Sequence, residues 1–327
     1  MVSIWPVLKY GEIFLTTYNY IPKITKLLNF TENLLLKCIK KENMINNENY
    51  EHYLDSWLNG IVDEIRFWDT FFSTKGSICK VTEEEWKEVI SYERQFTLED
   101  DLELLNTKFL DVGSGPYSSC GSLTKKTNLE LYAVDPLASV YKKLKEQHDI
   151  KTSIVPETAM VENLSAWFQE NTFDITHMSN SLDHSFDPML GIWQMLWVTK
   201  IGGKVILRHH QNEAENENYI GFHQWNLSVE DGRFIIWRGN KRIDVEKEIN
   251  QYSEIVAIEK DKEAGNKVVI KKIHSSPFYF NENFSILLEK FLEKICDYNL
   301  NIYFKNKNTK KQKNHLLKNL FKKFLIK

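Results

Sequence analysis

The chain has 327 residues, 42% of them hydrophobic, enough for one sizeable core plus an accessory part. No run of about 18 apolar residues occurs, so no membrane-spanning helix is expected. The net charge of −3 conceals a tail: residues 303–327 hold nine lysines and no acid, leaving 33 basic against 45 acidic groups elsewhere. An acidic body of that kind disfavours nucleic acid as a substrate, because phosphate binding draws on basic side chains.

The first thirty residues mix Lys, Tyr and Pro with apolar positions and show no apolar stretch followed by a small-residue cleavage site. Cys38, Cys79, Cys120 and Cys296 lie far apart, without a paired spacing. They suit a reducing compartment, the cytoplasm, better than a disulfide framework or a zinc ribbon. Residues 12–105 read as mainly helical. Trp57, Ile61, Ile65 and Trp68 recur at three- and four-residue spacing with Asp63, Glu64 and Arg66 between them. This stripe predicts a helix whose two tryptophans are core residues.

From Lys108 onward, short apolar strands alternate with amphipathic helices, the pattern of a parallel, doubly wound sheet. Strands are predicted near 108–112, 130–135, 152–155, 173–178 and 203–208, the last introduced by Gly202-Gly203. Two more, 254–258 and 267–270, form a terminal hairpin around 261–266. The first strand ends in Asp111-Val112 and breaks into Gly113-Ser114-Gly115-Pro116. Glycine suits such a turn because it accepts positive φ and lets a ligand approach the backbone. The second strand ends in Asp135-Pro136-Leu137, and an acid there can accept both hydroxyls of a ribose. Ser118 stands where a dinucleotide site wants a third glycine, and Asp111 would repel a pyrophosphate. A cofactor with a cationic end fits better.

These residues resemble the class I S-adenosylmethionine-dependent methyltransferases, whose first motif commonly reads Asp-x-Gly-x-Gly-Pro. The resemblance implies a Rossmann-like α/β fold with a doubly wound, seven-stranded sheet over residues 106–273. A helical N-terminal cap over 1–105 and a basic helical extension over 274–327 flank it. It implies S-adenosylmethionine as the cofactor, held by Asp111, Gly113, Ser114, Gly115 and Pro116, with Asp135, Pro136 and Leu137 on the ribose and adenine. Met160, Val161 and Glu162 would flank the adenine ring, although Met160 stands where the family often has an acid. Asn180 would meet the methionine end.

The remaining strand ends carry the chemistry, because ligands of open α/β sheets sit beyond them. After the fourth strand comes Ser179-Asn180-Ser181-Leu182-Asp183-His184, and after the fifth Arg208-His209-His210, then Glu213, Tyr219, His223 and Trp225 in a long insertion, 209–250. The strings Asn-x-Leu-Asp-His-x-x-Asp-Pro and His-Gln-Trp-Asn are similar to bacterial methyltransferases associated with surface-polysaccharide gene clusters. The implied reaction is O-methylation of a sugar or sugar-phosphate, with a nucleotide-linked phosphoramidate or other small acceptor, or an inactive cofactor-binding scaffold of a membrane glycan complex, as alternatives. A sugar hydroxyl needs its proton removed, which suits a neutral histidine. His184, His210 and His223 are the candidate bases, His184 first. Arg94, Asp183, Arg208, His209, Glu213, Tyr219 and Trp225 are candidate substrate contacts. The histidine and acid spacing matches no standard ligand motif, so no metal is expected. A divalent ion among Asp183, His184, His209, His210, Glu213 and His223 is the alternative.

Within 314–327, Leu316, Leu317, Leu320, Phe321, Phe324 and Leu325 share one helical face, with Lys318, Lys322 and Lys323 opposite. A basic amphipathic helix of this kind suits contact with the inner face of a membrane, or packing on the acidic body. No pattern specifies an oligomer.

Overall fold

The computed structural model describes residues 50–91, 106–118, 120, 129–152, 154–261, 265–275, 296–297 and 299–308. Arg94 and the amphipathic segment 314–327 lie outside them. Helix α1 (Tyr50–Ser73) contains the tryptophan stripe; Trp57, Ile61, Ile65 and Trp68 are all buried, as the spacing predicts. A second helix, α2 (Glu83–Ser91), follows, opened by a reciprocal cap in which Thr82 and Glu85 bond each other's backbone N–H.

The central sheet contains β1 (Lys108–Val112), β2 (Glu130–Val134), β3 (Phe173–Ser179), β4 (Thr199–His209), β8 (Ser253–Asp261) and β9 (Gly265–Lys272). Its order is β2-β1-β3-β4-β9-β8. β1, β2, β3 and β4 run parallel, and β9 closes the sheet antiparallel to β4. Helix α3 (Ala138–Gln147) follows β2, and α4 (Pro188–Val198) connects β3 to β4. Pro188 opens α4, and the Asp187 side chain caps it by accepting Leu190 N–H at 3.1 Å.

Among the described residues the sheet has six strands, where seven are expected. Among the described residues of the segment predicted as a strand at 152–155, none pairs with β2; the chain meets β2 just beyond it, in one bridge between Val134 and Glu157. Pro156 removes a ladder donor there and Val155 is 58% exposed, so this edge neither bonds nor buries well enough to extend the sheet. β4 also begins earlier than expected: Thr199 pairs with Phe173, and the register shifts before Lys204, so Gly202 and Gly203 lie inside a bulged strand.

The insertion after β4 is more than a polar loop. A short turn of helix, α5 (Glu213–Asn216), leads to an antiparallel sheet of β5 (Asn226–Glu230), β6 (Arg233–Arg238) and β7 (Lys241–Asp244), followed by α6 (Val245–Ile249). Leu227, Phe234, Ile236, Val245 and Ile249 bury this unit in the main core together with α1, α3 and α4. The opposite face of the central sheet carries a smaller cluster of Phe109, Cys120, Leu129, Ile175, Ile206 and Val269.

The C-terminal helical residues 299–308 dock on the body instead of extending from it. Leu300 and the preceding Cys296 are buried in the main core. Asp69 of α1, itself 1% exposed, accepts hydrogen bonds from Tyr303 at 2.7 Å and His148 at 2.8 Å and pairs with Lys307. Burial alone would raise the Asp69 carboxyl, but these three partners hold it below its ordinary value.

Candidate active site

β1 delivers the glycine turn to the carboxyl edge of the sheet. Gly113 and Gly115 adopt φ of +61° and +67°. A Cβ on Gly113 would lie 2.3 Å from Ser181 Oγ, so the turn after β1 and the loop after β3 approach through a position open only to glycine. Ser114 N–H donates to Val134 O at 3.1 Å, holding the turn against the end of β2. Asp135 completes the bracket: Oδ2 accepts Gly115 N–H at 2.9 Å and Oδ1 accepts Leu137 N–H at 2.8 Å. Burial, with Glu64 and Asp111 nearby, pushes the Asp135 carboxyl up to about 7 against those two bonds. Each oxygen keeps a second lone pair for a ribose hydroxyl.

Helix α1 walls this crevice. Trp68 lies 3.5 Å from where a Cβ on Gly115 would stand, and it meets Tyr117 and Tyr141 edge-on. Glu64 accepts the indole N–H of Trp68 at 2.6 Å and directs its charge toward both Asp135 and the histidines. The sequence marks Glu64 only as a polar residue bordering the stripe; its role emerges from the packing of α1 on α3.

Several expected cofactor contacts are used otherwise. Asp111 points to the opposite face of the sheet, where Oδ2 accepts Ser118 Oγ–H at 2.6 Å and Oδ1 meets His177 Nδ1 at 2.9 Å. Strand alternation puts it beside Phe109, so it pins the turn from below. Glu162 turns toward the loop after β3, accepting Phe186 N–H at 2.8 Å and Asp187 N–H at 3.2 Å. Its burial raises the carboxyl to about 8. Met160 and Val161 are core residues, with Val161 packed on Gly191 of α4. Leu137 is buried beneath the crevice, and Pro116 and Pro136 lend their carbonyls to Lys145 and Cys296. Asn180 adopts φ +48° at the end of β3, and its N–H is tied to Arg208 O.

The second half of the site forms where the 3-10 turn Leu182–His184 meets the insertion. Asp183 O accepts both Gln224 N–H, at 3.1 Å, and Trp225 N–H, at 3.3 Å. Its carboxylate Oδ2 holds His223 Nδ1 at 2.8 Å and lies 3.6 Å from His184 Nε2. The two imidazoles meet at 3.2 Å, Nε2 to Nδ1, edge to face. Phe222 secures the docking. It stacks on Trp57 at 5.2 Å, lies 5.7 Å from the His184 ring, and fills the space a Cβ on Gly60 would need. Neither Phe222 nor Gly60 stands out in sequence, because each matters only through the other.

Electrostatics sort the cluster. Burial opposes the Asp183 charge, yet His184 and His223 hold it far below its ordinary value. Burial would lower His223, but the Asp183 bond lifts it to about 9. Burial prevails at His184, His210 and His209, all held below the usual imidazole value, His209 down to about 3. Near neutrality the geometry supports an ionised Asp183, a protonated His223 and a neutral His184. Glu213 stands nearby, raised to about 8 by burial and the Asp183 charge.

Of the remaining candidates, Arg208 is the penultimate residue of β4, partly buried and paired across the sheet with Ser179 and Lys267. Tyr219 sits at the exposed rim with φ +57°, its hydroxyl accepting Asn226 Nδ2–H at 2.9 Å. Trp225 is a core residue, 1% exposed under the Lys241 ammonium, rather than a substrate contact.

A glycine turn bracketed by an acid at the end of β2, with ionisable groups at the ends of β3 and β4, defines a nucleoside-cofactor enzyme of the doubly wound α/β class. Residues 110–207 match the family model described as a methyltransferase domain. Among solved structures, an S-adenosylmethionine-dependent methyltransferase from Clostridium acetobutylicum is 15% identical, with a TM-score of 0.34, covering 52% of this chain and 85% of that one. A protein from Pyrococcus horikoshii is 18% identical, with a TM-score of 0.33, covering 50% and 82%. No curated protein matches the chain in sequence.

Proposed function

We propose that the chain is an S-adenosylmethionine-dependent O-methyltransferase acting on a sugar or sugar-phosphate hydroxyl in the assembly of a surface polysaccharide, at or near the cytoplasmic face of a membrane. The observation that carries the reading is the Asp183–His184–His223 cluster beside the glycine turn: a buried acid under two partly exposed imidazoles where the acceptor would lie. The site also fits the cofactor. Gly113 and Gly115 expose backbone, Asp135 offers two acceptor oxygens, and Glu64 and Asp135 together supply negative charge suited to a sulfonium and an ammonium.

S-adenosylmethionine supplies an electrophilic methyl group, so the protein's work is positioning the acceptor and taking its proton. His184 is neutral, and with Nε2 turned toward Asp183 its Nδ1 is left to accept the hydroxyl proton. Asp183 then stabilises the imidazolium. His223, already charged, holds Asp183 in place and keeps it ionised. The Phe222–Trp57 stack fixes the insertion against α1 beside His184.

Turnover tests the reading: the full chain is incubated with S-adenosylmethionine and a panel of sugars and sugar phosphates, and released S-adenosylhomocysteine is measured. His184→Ala is expected to retain cofactor affinity and slow turnover by about a hundredfold or more. Cofactor binding with no turnover on any acceptor would favour a scaffold instead.

A further inference from the structure

We infer that Asp183, His184 and His223 form a binding site for one first-row divalent cation. In this inference, the cation displaces the His223 proton and leaves the His184 proton on Nδ1; its open positions take oxygen atoms of the acceptor, and its charge, in place of His184 Nδ1, lowers the pKa of the hydroxyl. The ion-binding part stands on geometry alone; the acceptor part rests on the methyl-transfer reading above.

Asp183 Oδ2, His184 Nε2 and His223 Nδ1 converge with separations of 2.8, 3.2 and 3.6 Å. Ligand atoms on one face of a tetrahedral ion with bonds near 2.0–2.1 Å lie about 3.3 Å apart. The three atoms therefore already outline that face, and an ion about 1 Å off their plane reaches all of them at ordinary bond lengths. Two imidazoles and one carboxylate are borderline donors, which suit Zn²⁺, Fe²⁺, Co²⁺ or Mn²⁺ better than Ca²⁺ or Mg²⁺.

Hydrogen bonding alone satisfies the group poorly. His223 Nδ1 lies within bonding distance of both Asp183 and His184, but it carries one proton and can aim it at one of them. Asp183 Oδ1 has no hydrogen-bond partner, in a residue 2% exposed. A cation resolves both conditions, because it binds Oδ2 and both ring nitrogens at once and leaves Oδ1 to approach the same charge.

The surroundings permit entry and exchange. Asp183 forms the floor, while the His184 and His223 side chains are 22% and 28% exposed at the mouth. Backbone bonds from Gln224 and Trp225 to Asp183 O fix the two halves of the site, so the ligands are positioned before an ion arrives. The second convergent group, Asp111, Cys120 and His177, is buried on the other face of the sheet and tied to Ser118, without such a mouth.

The test uses the full chain, stripped with a chelator and titrated with Zn²⁺ and with Co²⁺ by calorimetry and visible absorption. One equivalent should bind, and Asp183→Asn, His184→Ala and His223→Ala should each weaken it at least about tenfold. His184→Ala alters a mouth position, so it tests the site even if Asp183→Asn fails to fold. Wild-type binding no tighter than that of the His184→Ala/His223→Ala double variant would overturn the inference. S-adenosylmethionine is titrated into the same samples. Cofactor binding without ion binding defeats the cation site alone, whereas ion binding without cofactor binding upholds the site and defeats the methyl-transfer reading.

Discussion

Gly113→Ala is the sharpest test of how the glycine turn is held. At φ +61° an alanine pays the left-handed penalty, about 1–2 kcal/mol. Its Cβ would also meet Ser181 Oγ at 2.3 Å and Ser181 Cβ at 2.8 Å, distances that real Cβ atoms do not reach. Forcing the β3 loop aside to make room adds overpacking of about 1–3 kcal/mol, for a total of about 2–5 kcal/mol. Gly202 separates the two effects. It has φ +84° with nothing within 4 Å of a new Cβ, so Gly202→Ala should cost the conformational part only. Equilibrium urea unfolding of both variants measures the difference, and S-adenosylmethionine calorimetry should show the larger loss of affinity in Gly113→Ala. Adding Ser181→Gly to Gly113→Ala should recover the steric part, about 1–3 kcal/mol, as a coupling in a double-mutant cycle. Equal costs for Gly113→Ala and Gly202→Ala, with no coupling to Ser181, would refute the argument.

Asp135→Ala strands the N–H groups of Gly115 and Leu137 and should cost about 1–3 kcal/mol per unsatisfied group. It should also abolish cofactor binding, and calorimetry that detects wild-type affinity would contradict the bracket. The His223 imidazole sits above its ordinary value, so the stability it contributes is complete below about pH 6.5 and fades as pH rises through about 9. Asp135, Glu162 and Glu213 add to the same fall, because the folded chain holds their protons above the ordinary carboxylate range. His223→Gln should therefore flatten the decline in melting temperature between pH 7 and 9.5 without removing it; an unchanged slope speaks against the Asp183–His223 pair. Asp69 shows the opposite sign. Its folded value is lowered, so its contribution persists above about pH 4 and is lost as the carboxyl protonates. Asp69→Asn should speed hydrogen exchange in residues 299–308, and wild-type protection there would show that the helix docks without it.

Much of the site follows from local rules visible in the chain. Gly113 and Gly115 announce a turn because few other residues tolerate its torsions, and Asp135 announces itself by ending a strand. Asp183, His184 and His210 could be placed at the ligand edge once β3 and β4 were recognised, because every parallel strand of an open sheet ends on that edge. The period of the α1 stripe likewise foretold burial of Trp57 and Trp68.

Tertiary structure decided which of those groups meet. Asp111 looks like a cofactor contact until the pleat turns it to the far face, against Ser118 and His177. Glu162 and Trp225 look like site residues until packing commits one to the Phe186–Asp187 backbone and the other to the core. The segment 152–155 has strand composition, but its described residues find no partner strand, and the chain meets β2 only beyond them, at Glu157. His223 joins Asp183 with the help of the Phe222–Trp57 stack, which links segments about half the chain apart, an encounter that no local spacing encodes. Sequence specifies torsions and faces within a few residues. Which donor meets which acceptor depends on contacts between distant segments, and these exist only after the core has closed.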